Sequence, residues 1–195
     1  MTAMSLAAAA AGYSGQAAKP SCPCCKEEAA APFSKESIYQ LDARFTDDAG
    51  RTFAIGALRG RPVVLDMFFA SCGSACPITV TDMLSIQSRL PAALRARVTF
   101  VLVTFDPARD TRQVLADYRR QRLLDGQWVL LRGDDDGIRE LAALLGVRYT
   151  REPDGTFSHS NVLTLLNDKG EIAYQRVGLN EGIGRICAAV AANGG

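Results

Sequence analysis

Three apolar runs of strand length, each followed by a segment of helical spacing, constrain this chain more than any other feature. RPVVLDMFF and VTFVLVTF lack the alternation of a half-exposed strand, so they read as strands covered on both faces, and WVLL reads as a third strand. PITVTDMLSIQSRL places apolar residues at helical spacing: Ile78, Met83, Leu84, Ile86 and Leu90. DTRQVLADYRRQR opens with Asp110 and Gln113 spaced as a capping box, and GIRELAALLG stops at Gly146, a residue suited to a helix end. NVLTLLN and EIAYQRV flank the turn Asn167-Asp168-Lys169-Gly170 and predict a hairpin, with EGIGRICAAVAA as a closing helix. LDARFTDDAGRTFAI predicts two short strands around Asp47-Asp48-Ala49-Gly50. Strands alternating with helices and ending in a hairpin imply an α/β sheet flanked by helices.

The first 34 residues differ in kind, being rich in Ala with Pro, Ser and Gly. They are expected to be a signal remnant and a flexible linker, with the folded domain over residues 35–195. Residues 1–12, MTAMSLAAAAAG, resemble the apolar end of a secretory signal without its basic start. The expected location is therefore periplasmic or exported, with membrane tethering through a missing or cleaved N-terminal segment. No run of about twenty apolar residues occurs, so no transmembrane helix is predicted. A formal net charge of +1 offers no field for nucleic acid. Arg119, Arg120 and Arg122, like Arg89, Arg95 and Arg97, are expected on solvated helix surfaces or ends.

The six cysteines are too few for a disulfide scaffold in 195 residues, and they are grouped. In C-G-S-A-C-P, Cys72 lies in the loop leaving the first buried strand, and Cys76 precedes Pro77. Proline favours the first turn of a helix, so Cys76 is expected at a helix N-terminus, where backbone N–H groups and the dipole stabilise a thiolate. Such a pair can exchange electrons with another protein, hold a metal or close a structural bridge. A bridge this short constrains little chain entropy, which weighs against the last. The lone histidine, His159, is expected at the start of NVLTLLN, in a His-Ser pair that opens this late strand.

LDMFFASCGSACP, VTFDPARDTRQVLADY and SHSNVLTLLNDKGEI together resemble the signatures of the Sco/SenC family, over about residues 35–192. The resemblance implies a thioredoxin-like fold with a central mixed sheet and an N-terminal β-hairpin. It implies a copper metallochaperone that delivers copper to, or prepares, the copper site of cytochrome c oxidase. Its partner would be the oxidase's copper-site subunit or another copper chaperone. Carried over by position, Cys72, Cys76 and His159 are the copper ligands. Thiolates favour Cu(I) and imidazole also serves Cu(II), so this set suits both oxidation states. The role is binding and delivery rather than turnover.

Two positions depart from the family. Ser74 stands where an acidic residue is common between the cysteines, which removes a negative charge from the loop. Asp66 lies inside an apolar strand where the family has an uncharged residue. Thioredoxins carry a buried aspartate at the matching place, so Asp66 supports an alternative: a thiol–disulfide oxidoreductase using Cys72 and Cys76, with Asp66 as proton relay. Three intervening residues, rather than two, and FSHSN in place of a proline before the late strand weigh against it. A peroxiredoxin-type peroxidase is weaker still, because FFASCGSAC offers no threonine ahead of a reactive cysteine.

Asp106 ends the second buried strand, where it can orient His159 or cap the turn before Pro107. Asp110 reads as a helix cap only. Cys22, Cys24 and Cys25 form a second cluster suited to a soft cation such as Cu(I), outside the family signatures. Cys187 falls in the apolar stripe of the last helix and reads as an inert core residue.

Overall fold

The computed structural model describes residues 32–73 and 75–193. In chain order the elements are β1 (Arg44–Asp47), β2 (Thr52–Ala54), β3 (Val63–Phe68), α1 (Ala75–Arg89), α2 (Ala92–Arg95), β4 (Thr99–Thr104), α3 (Arg112–Gln121), β5 (Trp128–Arg132), α4 (Asp135–Leu145), β6 (Tyr149–Arg151), β7 (Phe157–His159), β8 (Val162–Leu166), β9 (Ile172–Val177) and α5 (Ile183–Asn193). Short 3-10 turns cover Ile38–Gln40 and Ile55–Leu58. Seven strands form one sheet in the order β2-β1-β5-β4-β3-β8-β9. β3, β4 and β5 are parallel, while β1, β8 and β9 join antiparallel, so the sheet is mixed as expected for a thioredoxin-like fold.

The unbroken apolar runs behave as predicted: every residue of β3 and β4 is buried. Burying each large side chain contributes roughly 1.5–3 kcal/mol, so these central strands anchor the core. α1 packs on α5, and α5 lies over β8 and β9. The β1–β2 hairpin and the β8–β9 hairpin form where the turn residues place them. At the second of these, Gly170 has φ +81, and a Cβ there would meet the Tyr39 ring at 2.3 Å, so the position admits only glycine. Gly146 ends α4 in the left-handed conformation at φ 68.

Three expectations require correction. α3 is capped by Thr111, whose hydroxyl accepts from the Val114 amide at 3.3 Å, rather than by an Asp110–Gln113 box. Asp110 is one residue too early and is turned inward. Arg119 is not a solvated surface residue: it binds Asp48, with one bond of 2.9 Å, and the Trp128 carbonyl at 2.8 Å, tying α3 to the sheet. His159 does not open β8. It ends β7, which pairs with β6 in a separate two-stranded sheet, Tyr149 opposite His159.

Candidate metal centre

β3 ends at Phe68 and β4 at Thr104, side by side and parallel, so the loops leaving them share one edge of the sheet. That is the edge where α/β sheets build their sites. The loop from β3 to α1 carries Cys72. It is folded back by the Cys72 amide donating to the Phe69 carbonyl at 3.1 Å. It is also fastened from outside by Asp110, whose Oδ2 accepts from the Ala70 amide at 2.9 Å and from the Thr104 hydroxyl. Asp110 is 1% exposed, and its role as a strut for the cysteine loop was not legible from capping rules. The signal available was its place just beyond the end of a buried strand.

Cys76 is the second residue of α1, and Pro77 follows within the first turn, where no intrahelical N–H is needed. The sulfur served by this helix end differs from expectation. The Cys76 amide points at the Cys72 Sγ, 3.5 Å away, so the helix N-terminus addresses Cys72. Cys76 itself is 1% exposed, and burial pushes its thiol well above the ordinary range, a bond from the Phe69 backbone opposing. Cys72 and Cys76 are thiols rather than a disulfide.

The β6–β7 sheet brings His159 to the same place. Its ring is half-buried against Phe105, centroids 4.9 Å apart, and edge-on to Phe69 at 6.2 Å. The His159 Nδ1 lies 3.2 Å from the Ser160 carbonyl, which can only accept, so Nδ1 carries the proton. Burial lowers the ring's pKa, the Ser160 contact opposing, which favours the neutral imidazole. Nε2 therefore presents a lone pair, and it faces the Cys76 Sγ at 3.8 Å. The sulfurs of Cys72 and Cys76 and a ring nitrogen of His159 all lie within 4.8 Å of one another. An ion held about 2.3 Å from a thiolate and about 2.05 Å from an imidazole, with about 120° between the bonds, separates the two donors by about 3.8 Å. That pair thus stands at the separation one metal ion requires, and the Cys72 sulfur lies within 4.8 Å of both.

Asp106 is 2% exposed and directs its carboxylate to Arg109 and, at 4.0 Å, to Arg151. The partner of the His159 Nδ1 is the Ser160 carbonyl instead. Asp66 is 3% exposed on β3, and burial raises its pKa to about 8, the Arg176 guanidinium opposing. It lies close enough to both thiols for its charge to be felt there. Cys187 packs half-buried on the core from α5. Cys22, Cys24 and Cys25 lie outside the described residues, as does Ser74. No helix among the described residues is long and apolar enough to cross a membrane.

Known proteins are similar to this chain in sequence and in architecture. A Stutzerimonas stutzeri protein named "Putative copper-binding protein" is 31% identical over 142 residues, covering 71% of this chain and 68% of the relative. Yeast Sco1 with copper bound superposes with a TM-score of 0.66 at 19% identity, over 77% of this chain and 84% of that one. BsSco, described as having a disulfide switch and as belonging to the Sco family of cytochrome c oxidase assembly proteins, superposes with a TM-score of 0.67 at 21% identity, over 80% and 94%. Residues 34–192 match SCO1/SenC, nearly the whole of the described fold, and the chain belongs to that family.

Proposed function

We propose that this protein binds one copper ion through Cys72, Cys76 and His159 and passes it to the copper-site subunit of cytochrome c oxidase. The observation that carries the reading is the meeting of two thiol sulfurs with an imidazole nitrogen whose lone pair is directed at them. The two soft sulfurs favour Cu(I), and the imidazole adds a ligand acceptable to Cu(II). The copper named in the Stutzerimonas stutzeri and yeast relatives supports the choice of cargo. The oxidase named with BsSco supports the destination. Half-exposed Cys72 is the sulfur an incoming partner reaches first, while Cys76 is sealed beneath it. Export and the expected N-terminal tether, with the folded domain over residues 35–195, complete the reading, and Cys22, Cys24 and Cys25 are an accessory copper-gathering cluster.

Copper stoichiometry tests it. The reduced full chain, and one carrying Cys22→Ser, Cys24→Ser and Cys25→Ser, are loaded with Cu(I), desalted and assayed. The triple variant is expected to keep one copper per chain. Adding Cys76→Ser to it should abolish retention. Copper lost with the triple substitution alone would move the main site to the N-terminal cluster.

A second reading rests on Asp66. A buried carboxyl whose charge is felt at both thiols can move a proton during thiol–disulfide exchange. Cys72 would attack a partner disulfide, Cys76 would resolve the mixed disulfide, and the partner would leave with two thiols as Cys72 and Cys76 become joined. Asp66→Asn should then slow reduction of a disulfide peptide while leaving copper stoichiometry unchanged.

A further inference from the structure

His159 reaches the cysteines on a small sheet of its own, so something must hold that sheet in place. Among the described residues, β6 and β7 pair only with each other. The hairpin is fastened at its strand side and near its turn by groups that also meet at Asp106. Arg109, in the loop after β4, binds the Asp106 carboxylate through Nε and the Gly155 carbonyl, at the hairpin turn, through its terminal nitrogen. Its guanidinium also lies over the Phe157 ring, 5.8 Å from the centroid. Arg151, on β6, stands 4.0 Å from the other Asp106 oxygen and 5.7 Å from the same ring. Phe157 in turn packs on Phe69 and Phe105, the two rings against His159.

We propose that Asp106, Arg109 and Arg151 form a clamp on Phe157 that positions His159 for the ion, with Arg109 as its principal member. The inference rests on the copper reading above. Asp106 does not touch the imidazole; it acts through the hairpin. Arginine suits the task because its planar fork spans a carboxylate and a carbonyl at once and stacks on a ring, which lysine cannot do. Losing the clamp leaves both cysteines in place and lets His159 drift, so the cost falls on the nitrogen ligand alone.

The test uses the full chain with Cys22, Cys24 and Cys25 replaced by serine. Cu(II) affinity is measured by chelator competition, and the ligand set is read from nitrogen couplings in the electron paramagnetic resonance spectrum. Far-UV circular dichroism and the melting point of the metal-free protein report on folding. Arg109→Ala is expected to weaken Cu(II) binding about tenfold to hundredfold and to reduce the nitrogen coupling. Arg109→Lys should fall between Arg109→Ala and the parent, and it decides the matter if the alanine variant does not fold. In the double variant with His159→Ala, Arg109→Ala should add nothing to the loss from His159→Ala alone. Full additivity, or unchanged affinity in the Arg109 variants while His159→Ala is impaired, overturns the clamp and leaves the ligand assignment standing. Parent-like affinity in His159→Ala overturns the ligand assignment itself.

Discussion

The Cys76 Sγ and the His159 Nε2 stand 3.8 Å apart across 83 positions of sequence. One belongs to the first turn of α1 and the other to the end of β7, so their meeting is a product of the fold. Because the Ser160 carbonyl fixes the tautomer, the nitrogen facing the sulfur is the one able to bind an ion. Replacing His159 by alanine should remove one of three donors and leave the two sulfurs. Cu(II) affinity is expected to fall much further than Cu(I) affinity, because two thiolates alone satisfy Cu(I). Equal losses in both oxidation states would argue against this division of labour.

Copper loading should release protons. Burial raises the Cys76 thiol above its ordinary value, so near neutral pH the metal-free group is protonated and must give up that proton to bind. The neutral imidazole loses none, since burial lowers its pKa. Cu(I) affinity should therefore fall as pH falls, about tenfold per unit for each proton released. Calorimetry in buffers of different ionisation enthalpy counts them directly, and a count of zero between about pH 6 and pH 8 would contradict a buried thiol as ligand.

Asp110 offers a test of the loop rather than the ligands. Its carboxylate takes the Ala70 amide at 2.9 Å and the Thr104 hydroxyl, both at the edge of the sheet. Asp110→Ala strands two donors away from water, at a cost of about 2–3 kcal/mol of stability. It should also weaken copper binding, because Cys72 lies two residues beyond Ala70. Urea titration and chelator competition on the same variant measure both, and a stability loss without an affinity loss would confine Asp110 to a packing role.

Much of this architecture was legible because burial leaves a local signature. β3 and β4 announce themselves as unbroken apolar runs, and Gly170 and Gly146 mark turns that need positive φ. The grouping of Cys72, Cys76 and His159 was legible from the family pattern rather than from spacing. What escaped was anything decided by distant partners. Capping rules assign Asp110 to the helix beginning beside it, but a carboxylate is claimed by whichever donors the tertiary fold presents, here Ala70 and Thr104. Arg119 looks like a solvated face until Asp48, 71 positions away, is placed opposite it. Three residues of β7 are too short to declare a strand, so the separate sheet carrying His159 left no periodic trace.

The pair Asp82 and Arg176 joins α1 to β9 through a 2.7 Å contact, with side chains 8% and 4% exposed. The same Asp82 oxygen accepts from the Asn180 amide at 3.3 Å, and Arg176 also donates to the Glu181 carbonyl at 3.0 Å. Removing one member leaves the other charge buried without its partner, so Asp82→Asn should cost about 3–5 kcal/mol. Urea unfolding of the metal-free variant measures it. A loss below about 1 kcal/mol would mean that the pair behaves as if solvated.

Asp66 supplies a test by pH, with a sign opposite to that of a carboxylate held by a salt bridge. Burial raises its pKa to about 8 in the folded chain, against the Arg176 guanidinium, while an unfolded aspartate titrates at about 3.9. Between those values the folded protein keeps a proton that the unfolded chain has lost. Stability of the metal-free protein should therefore fall as pH rises through that window, by up to about 1.4 kcal/mol per unit, and level off above about pH 8. Other groups titrate in the same range, so the slope is read as the difference between the parent and Asp66→Asn. The asparagine keeps the shape and stays uncharged, so the variant should lack this component and exceed the parent in stability at about pH 7.5. Urea unfolding of both proteins at about pH 5.5 and pH 7.5 provides the comparison. Identical slopes would mean that Asp66 is ionised in the folded state, so that its carboxylate could accept a proton from a thiol but would carry none of its own to donate.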